Sequence, residues 1–168
     1  MQESNFKILT LKKENLKFSS AHFLIYDEFR AERLHGHNYK VSLAIKIPWD
    51  SFSKIGYSVD FSILKKIVKA QLDLWDEYIL LPANNKEMKI TIQGNSLDLR
   101  FRDRHYVFPA EEVVLLPIVN TSVELLSEVI CNELWSKFKD LGIIALKIQV
   151  EETSGQSATT ASGNWEQK

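Results

Sequence analysis

HGHNYKVSLAIKIPW, residues 35–49, sets His37, Tyr39, Val41, Leu43, Ile45 and Ile47 on one side of the chain and Asn38, Lys40, Ser42 and Lys46 on the other. Alternation of period two over this length predicts a half-buried β-strand, which Pro48 and Trp49 end. Just upstream, Leu16, Phe18, Ser20, His22 and Leu24 alternate in the same way and predict a neighbouring strand. Downstream the period changes. Phe61, Leu64, Val68, Leu72 and Trp75 recur at helical spacing behind Asp60, an N-cap residue type, so an amphipathic helix is expected to about Tyr78.

A second helix is expected from Leu126, Val129, Ile130, Leu134 and Phe138, opened by a Thr121/Glu124 capping box and ended with the help of Gly142. Strands resume over 143–152 and 157–161. Between the helices, an inserted segment over about 82–118 holds residues 88–93, a Gly94-Asn95 turn and residues 97–108, which read as a small polar meander. The order is two strands, helix, insert, helix, two strands. Each helix has one apolar stripe and the first strands have one apolar face, so the expectation is an α+β fold: a four-stranded antiparallel sheet with two helices on one face and an inserted β-meander. At 168 residues, one domain over 1–168 is expected.

Composition narrows the function. A formal net charge of -1 supplies no field for nucleic acid or an acidic membrane, so specificity must come from a local site. The single cysteine, Cys131, excludes an internal disulfide and favours a reducing cytoplasm. The opening residues, MQESNFKILTLKKEN, are charged and lack a continuous apolar stretch, so neither a signal peptide nor a membrane span is expected.

The local site is legible as metal chemistry. His35 and His37, two apart in a strand, project to one side, and His22 on the preceding strand can complete a set. Three neutral imidazoles with a fourth position open is the arrangement of a catalytic zinc. Spacing alone fits equally well two strand histidines bonded to nearby backbone.

FSSAHF at 18–23 followed by ERLHGHNYKVSL at 32–43 resembles the 6-pyruvoyl-tetrahydropterin synthase and 6-carboxytetrahydropterin synthase family, and the likeness continues through VDF at 59–61, NTSVE at 120–124 and EETSGQSAT at 151–159. The resemblance implies the T-fold (tunnelling fold), zinc on His22, His35 and His37, a small-molecule pterin substrate, and a homohexamer with its active site between subunits. It also implies roles for particular residues. Where other branches carry a catalytic cysteine before the HGH motif, this chain has Phe29 and Ala31 six and four residues ahead of His35 and Glu32 three ahead. ExxHGHNY is similar to the branch that uses glutamate as the base and cleaves dihydroneopterin triphosphate to 6-hydroxymethyl-7,8-dihydropterin, a folate precursor. By itself, Glu32 also reads as a solvated loop carboxylate beside Arg30 and Arg33.

The family's Leu-Asp-His-His relay corresponds here to Trp75-Asp76-Glu77-Tyr78, so Asp76 and Glu77 are either a coupled carboxylate pair assisting catalysis or ordinary helix-end surface groups. Glu152 and Thr153 match the family's pterin anchor, with Glu151 expected on the other strand face. Thr121 and Ser122 match pterin-contacting positions and serve equally as a helix cap. His105, in the meander, is expected to hydrogen bond or face solvent. The rival functions are a 6-pyruvoyl- or 6-carboxytetrahydropterin synthase-type reaction without cysteine, and a pterin- or purine-binding protein without turnover.

Overall fold

The computed structural model describes residues 6–52 and 56–165. Strands β1 (Phe6–His22) and β2 (His35–Pro48) pair antiparallel with Phe18 opposite Tyr39 and His22 opposite His35. The alternation read from the sequence is the burial pattern observed: Leu16, Phe18, Tyr39, Val41, Leu43 and Ile45 are buried on one side. Strands β8 (Ala145–Thr153) and β9 (Gln156–Gly163) extend the antiparallel array beyond β2.

Helix α1 (Phe61–Leu72) starts where Asp60 accepts the Ser62 N–H at 2.7 Å, and it buries Leu64, Val68 and Leu72. Phe61 belongs to the expected stripe but is exposed. Helix α2 (Val123–Phe138) buries Leu126, Ile130, Leu134 and Phe138 against the same sheet face, and Gly142, at φ 75°, ends the turn that follows it. The core is therefore sheet against two helices, locked at its centre by Phe18, whose ring stacks on Tyr39 at 4.7 Å and meets Trp75 edge-on at 5.5 Å. Phe18 is fully buried, and truncating a side chain so placed costs about 3–5 kcal/mol.

Three local expectations are corrected. The sheet has six strands in the order β7-β3-β1-β2-β8-β9, because β3 (Tyr78–Pro82) adds to β1, and β7 (Val113–Leu116) to β3, both in parallel. Helix α1 stops at Leu72, six residues short of Tyr78; the apolar spacing runs on because Trp75 packs into the core from the turn that follows. The α2 cap is Ser122, whose hydroxyl lies 3.5 Å from the Leu125 N–H, whereas the Thr121 hydroxyl donates to the Phe23 carbonyl at 3.1 Å.

The insert is a three-stranded antiparallel meander, β4 (Lys89–Gln93), β5 (Ser96–Phe101) and β6 (Arg104–Pro109), with a turn at Arg102 splitting the expected 97–108 stretch. It carries its own apolar cluster: Leu97, Leu99 and Phe101 pack with Phe23, Ile25 and Leu81. That cluster anchors the segment between β1 and β2. Among the described residues, no helix is long and apolar enough to cross a membrane.

Candidate active site

The register of β1 and β2 builds the site. Residues directly opposite in an antiparallel pair share a face, so pairing His22 with His35, and Ser20 with His37, turns all three imidazoles to the helix-covered side at the end of the sheet. Their ring centroids lie 4.7–5.3 Å apart, and one ligand atom from each falls within 4.8 Å of the others.

The proton positions follow from the partners. The His22 Nδ1 lies 3.0 Å from the Thr121 carbonyl and the His35 Nδ1 lies 2.7 Å from the Arg33 carbonyl; a carbonyl only accepts, so both Nδ1 atoms carry the hydrogen and both Nε2 atoms present lone pairs. The His22 Nε2 is buried without a hydrogen-bond donor, 3.2 Å from Glu152 Oε1. Burial holds the His22 pKa below the usual histidine value, outweighing the Thr121 bond and the Glu152 charge, and the neighbouring imidazoles of His35 and His37 act in the same direction as burial. A neutral imidazole lone pair then faces a carboxylate, an arrangement that a cation between them relieves. The donor set therefore fits a metal ion: three nitrogens on fixed strands, with His22 and His35 each oriented through Nδ1 by a backbone carbonyl as metal-ligating histidines are.

Two carboxylates flank the cluster. Glu152 lies 3.2 Å from His22 Nε2 and 3.7 Å from His37 Nε2 and accepts the Tyr39 hydroxyl at 3.1 Å. Burial first, and then the Glu152 charge, push the Tyr39 phenol far up, so it stays a donor. Glu32 lies 3.9 Å from His35 Nε2; its Oε1 accepts the Tyr26 hydroxyl at 2.6 Å and its Oε2 the Leu24 N–H at 3.1 Å. Partial burial raises the Glu32 pKa, but the Tyr26 and Leu24 bonds and the nearby His35 outweigh it and hold the group below the ordinary glutamate value. It is ionised at neutral pH, the form in which a carboxylate can accept a proton.

The residues singled out from the sequence divide accordingly. His22, His35, His37, Glu32 and Glu152 come together, and Thr121 joins through its backbone carbonyl. Ser122 is turned to the α2 cap, and the Thr153 hydroxyl donates to Gln156 in the β8–β9 hairpin. Glu151 pairs with Lys40, away from the cluster. Asp76 and Glu77 lie on the β3 side of β1: Asp76 accepts the Ser19 N–H at 2.7 Å, and the Glu77 N–H donates to the Ser19 carbonyl at 2.6 Å while its side chain is exposed. Among the described residues neither has a bond to the histidine cluster. His105 Nε2 lies 2.7 Å from Asp98 Oδ1 on the meander. Cys131 is buried on α2 near Thr160 and Ser162, where burial raises its thiol pKa.

Sequence reading missed Tyr39, Tyr26 and Asn120. Tyr39 was findable, since it shares strand parity with His37. Asn120 bridges to both backbone groups of Ile25, accepting its N–H at 3.2 Å and donating to its carbonyl at 2.8 Å, and so ties the segment after β1 to the start of α2.

A mixed sheet backed by two helices, with three histidines and two carboxylates at one end, defines a T-fold protein with a candidate metal centre. Residues 10–162 match the family described as 6-pyruvoyl tetrahydropterin synthase, and the chain belongs to that family. It is 32% identical over 146 residues to a putative 6-carboxy-5,6,7,8-tetrahydropterin synthase of Methanocaldococcus jannaschii, covering 85% of this chain and 88% of that one. Among solved structures, 6-pyruvoyl tetrahydropterin synthase of Plasmodium vivax superposes with a TM-score of 0.86 at 28% identity, covering 95% of this chain and 99% of that one. A variant of the P. vivax protein in which a glutamate described as its catalytic residue is replaced by alanine superposes with the same TM-score at 27% identity and the same coverage.

Proposed function

We propose that this chain is a zinc-dependent lyase that cleaves the side chain of dihydroneopterin triphosphate to give 6-hydroxymethyl-7,8-dihydropterin, with Glu32 as the base. The observation that carries this is the Glu32 carboxylate, 3.9 Å from His35 beside a three-imidazole donor set, in a segment with no cysteine. The catalytic glutamate named for the P. vivax protein supports the same choice.

Glu32 takes the proton from the side-chain hydroxyl one carbon beyond the bond that breaks. As that oxygen becomes a carbonyl, the carbon–carbon bond cleaves, its electron pair passes into the C6–N5 imine of the dihydropterin ring, and a proton is then returned to the side-chain carbon still attached to C6, which restores the imine. Zinc on His22, His35 and His37 would supply a Lewis acid for the side-chain oxygens. Glu152 accepts the adjacent N–H donors of the pterin edge as a charge-assisted pair and so fixes the ring, while Tyr39 holds the Glu152 carboxylate in place. Thr121 orients His22, and Ser122 and Thr153 border the ring's pocket.

A single domain over 1–168, assembled as a cytoplasmic homohexamer, completes the proposal. Asp76 and Glu77, set apart from their own chain's cluster, stand outside this proposal unless a neighbouring subunit brings them to Glu32. The relative named as a 6-carboxy-5,6,7,8-tetrahydropterin synthase favours one rival, a different reaction at the same site. Product analysis by mass spectrometry, with dihydroneopterin triphosphate and zinc-loaded protein, separates them. Formation of 6-hydroxymethyl-7,8-dihydropterin with a phosphorylated two-carbon aldehyde is expected; a 6-pyruvoyl or 6-carboxy product, or unchanged substrate, contradicts the proposal.

A further inference from the structure

The segment that carries Glu32 has little regular structure of its own. Between β1 and β2 it is closed by one isolated bridge, Ile25 to Ala31, and by a short turn in which the Tyr26 N–H donates to the Arg30 carbonyl at 2.9 Å. Beside Asn120 on Ile25 and Thr121 on Phe23, a second set of anchors comes from the inserted meander. Phe23 and Ile25 are buried in the meander's apolar cluster, with Ala31 and Leu34 packed at its edge. Arg104, the first residue of β6, spends both terminal nitrogens of its guanidinium on this segment: Nη1 donates to the Glu32 carbonyl and Nη2 to the Ala31 carbonyl at 3.0 Å. From the same β5–β6 turn, Arg102 donates to the Glu28 carbonyl at 3.1 Å and lies over the Phe29 ring at 4.7 Å.

Arg104 holds Glu32 by its backbone and not by its carboxylate. A direct ion pair would have engaged the lone pairs a base needs; two charge-assisted bonds to consecutive carbonyls fix the residue's position and leave the carboxylate oxygens to Tyr26, Leu24 and the histidine cluster. We propose that Arg104 is a positioning residue for Glu32, and that through it the inserted meander sets where the base stands beside the three histidines. This rests on the lyase proposal above, in which Glu32 is the base.

The test is single-turnover cleavage of dihydroneopterin triphosphate by the full, zinc-loaded chain as wild type, Arg104→Ala, Arg104→Lys, Glu32→Gln and the Arg104→Ala/Glu32→Gln double variant. A misplaced catalytic group costs up to about 10²-fold in rate, so Arg104→Ala should slow cleavage by roughly 10- to 100-fold with zinc content and affinity for a non-reacting pterin unchanged. Arg104→Lys, which keeps a cation able to reach one carbonyl, should recover part of the loss. Because Arg104 acts through Glu32, the double variant should be no slower than Glu32→Gln alone.

Full activity in Arg104→Ala beside a slow Glu32→Gln overturns the positioning role and spares the lyase proposal. A double variant slower than Glu32→Gln by the whole Arg104→Ala factor overturns it too, as does a loss that appears in pterin affinity or zinc content, the sign of substrate contact or general support. If Glu32→Gln cleaves as fast as wild type, the lyase proposal fails at its base and the role of Arg104 falls with it.

Discussion

The two flanks of β1 carry carboxylates in very different company. On the β2 side, Glu152 lies 3.2 Å from the unpartnered His22 Nε2, Glu32 lies 3.9 Å from the His35 Nε2, which is itself 2.9 Å from the His37 Nε2, and each carboxylate takes a tyrosine hydroxyl as donor. On the β3 side, Asp76 is satisfied by the Ser19 N–H, with Lys69 3.9 Å away, and Glu77 is exposed with its backbone at φ 68°. The first arrangement leaves the His22 Nε2 buried without a partner; the second is complete as it stands. Four carboxylates that look alike in sequence are sorted by what faces them, and the pair beside the imidazoles is the one the proposed chemistry uses.

The sharpest way to break this contrast is to remove the metal's footing. His22→Ala, or chelation of the wild type, should abolish zinc binding and cleavage together, from about one zinc per subunit to nearly none by elemental analysis. Retention of full zinc by His22→Ala would move the metal away from β1. Next in size, Glu152→Gln should weaken a non-reacting pterin by roughly 10- to 100-fold in calorimetric titration, the 1.5–3 kcal/mol range of a hydrogen bond to a charged group, while zinc is largely kept.

The β3 flank should answer in stability more than in chemistry. Asp76→Ala removes the acceptor for the Ser19 N–H and should lower unfolding free energy by about 1–2 kcal/mol in urea titration, with less effect on cleavage than Glu32→Gln. A rate loss as large as that of Glu32→Gln at unchanged stability would instead place Asp76 in a neighbouring subunit's site. The smallest effect belongs to Glu77→Gly. Glycine adopts a positive φ without penalty, so stability should rise by no more than about 1 kcal/mol and cleavage should barely change.

The first flank was legible in two ways: strand parity put the histidines and Glu152 on one face, and the family resemblance singled out their roles and that of Glu32. His22, His35, His37 and Glu152 each sit at a parity that the alternation of Phe18, Tyr39 and Val150 fixes, and the antiparallel register then brings them to one place. What stayed hidden has no local period. YILLP and VVLL are apolar runs of four or five residues, which periodicity does not separate from helix or loop, and their parallel pairing leaves no turn signal between them. The clamps are harder still: Arg104 reaches back more than seventy residues to Ala31 and Glu32, and Asn120 reaches back 95 to Ile25, side chain to backbone in each case. Such bonds depend on where the meander docks, which composition and spacing do not encode. The Thr121 expectation failed for a related reason, since its hydroxyl donates to the distant Phe23 carbonyl and the helix is capped one residue later, by Ser122.

The most direct test of the central claim is one turnover of dihydroneopterin triphosphate on zinc-loaded Glu32→Gln against wild type, with zinc content and pterin affinity measured on the same samples. The account predicts at least the ~10²-fold slower cleavage of a lost general base, at unchanged zinc content and pterin affinity. A Glu32→Gln protein that binds zinc and pterin normally and cleaves at the wild-type rate would contradict it.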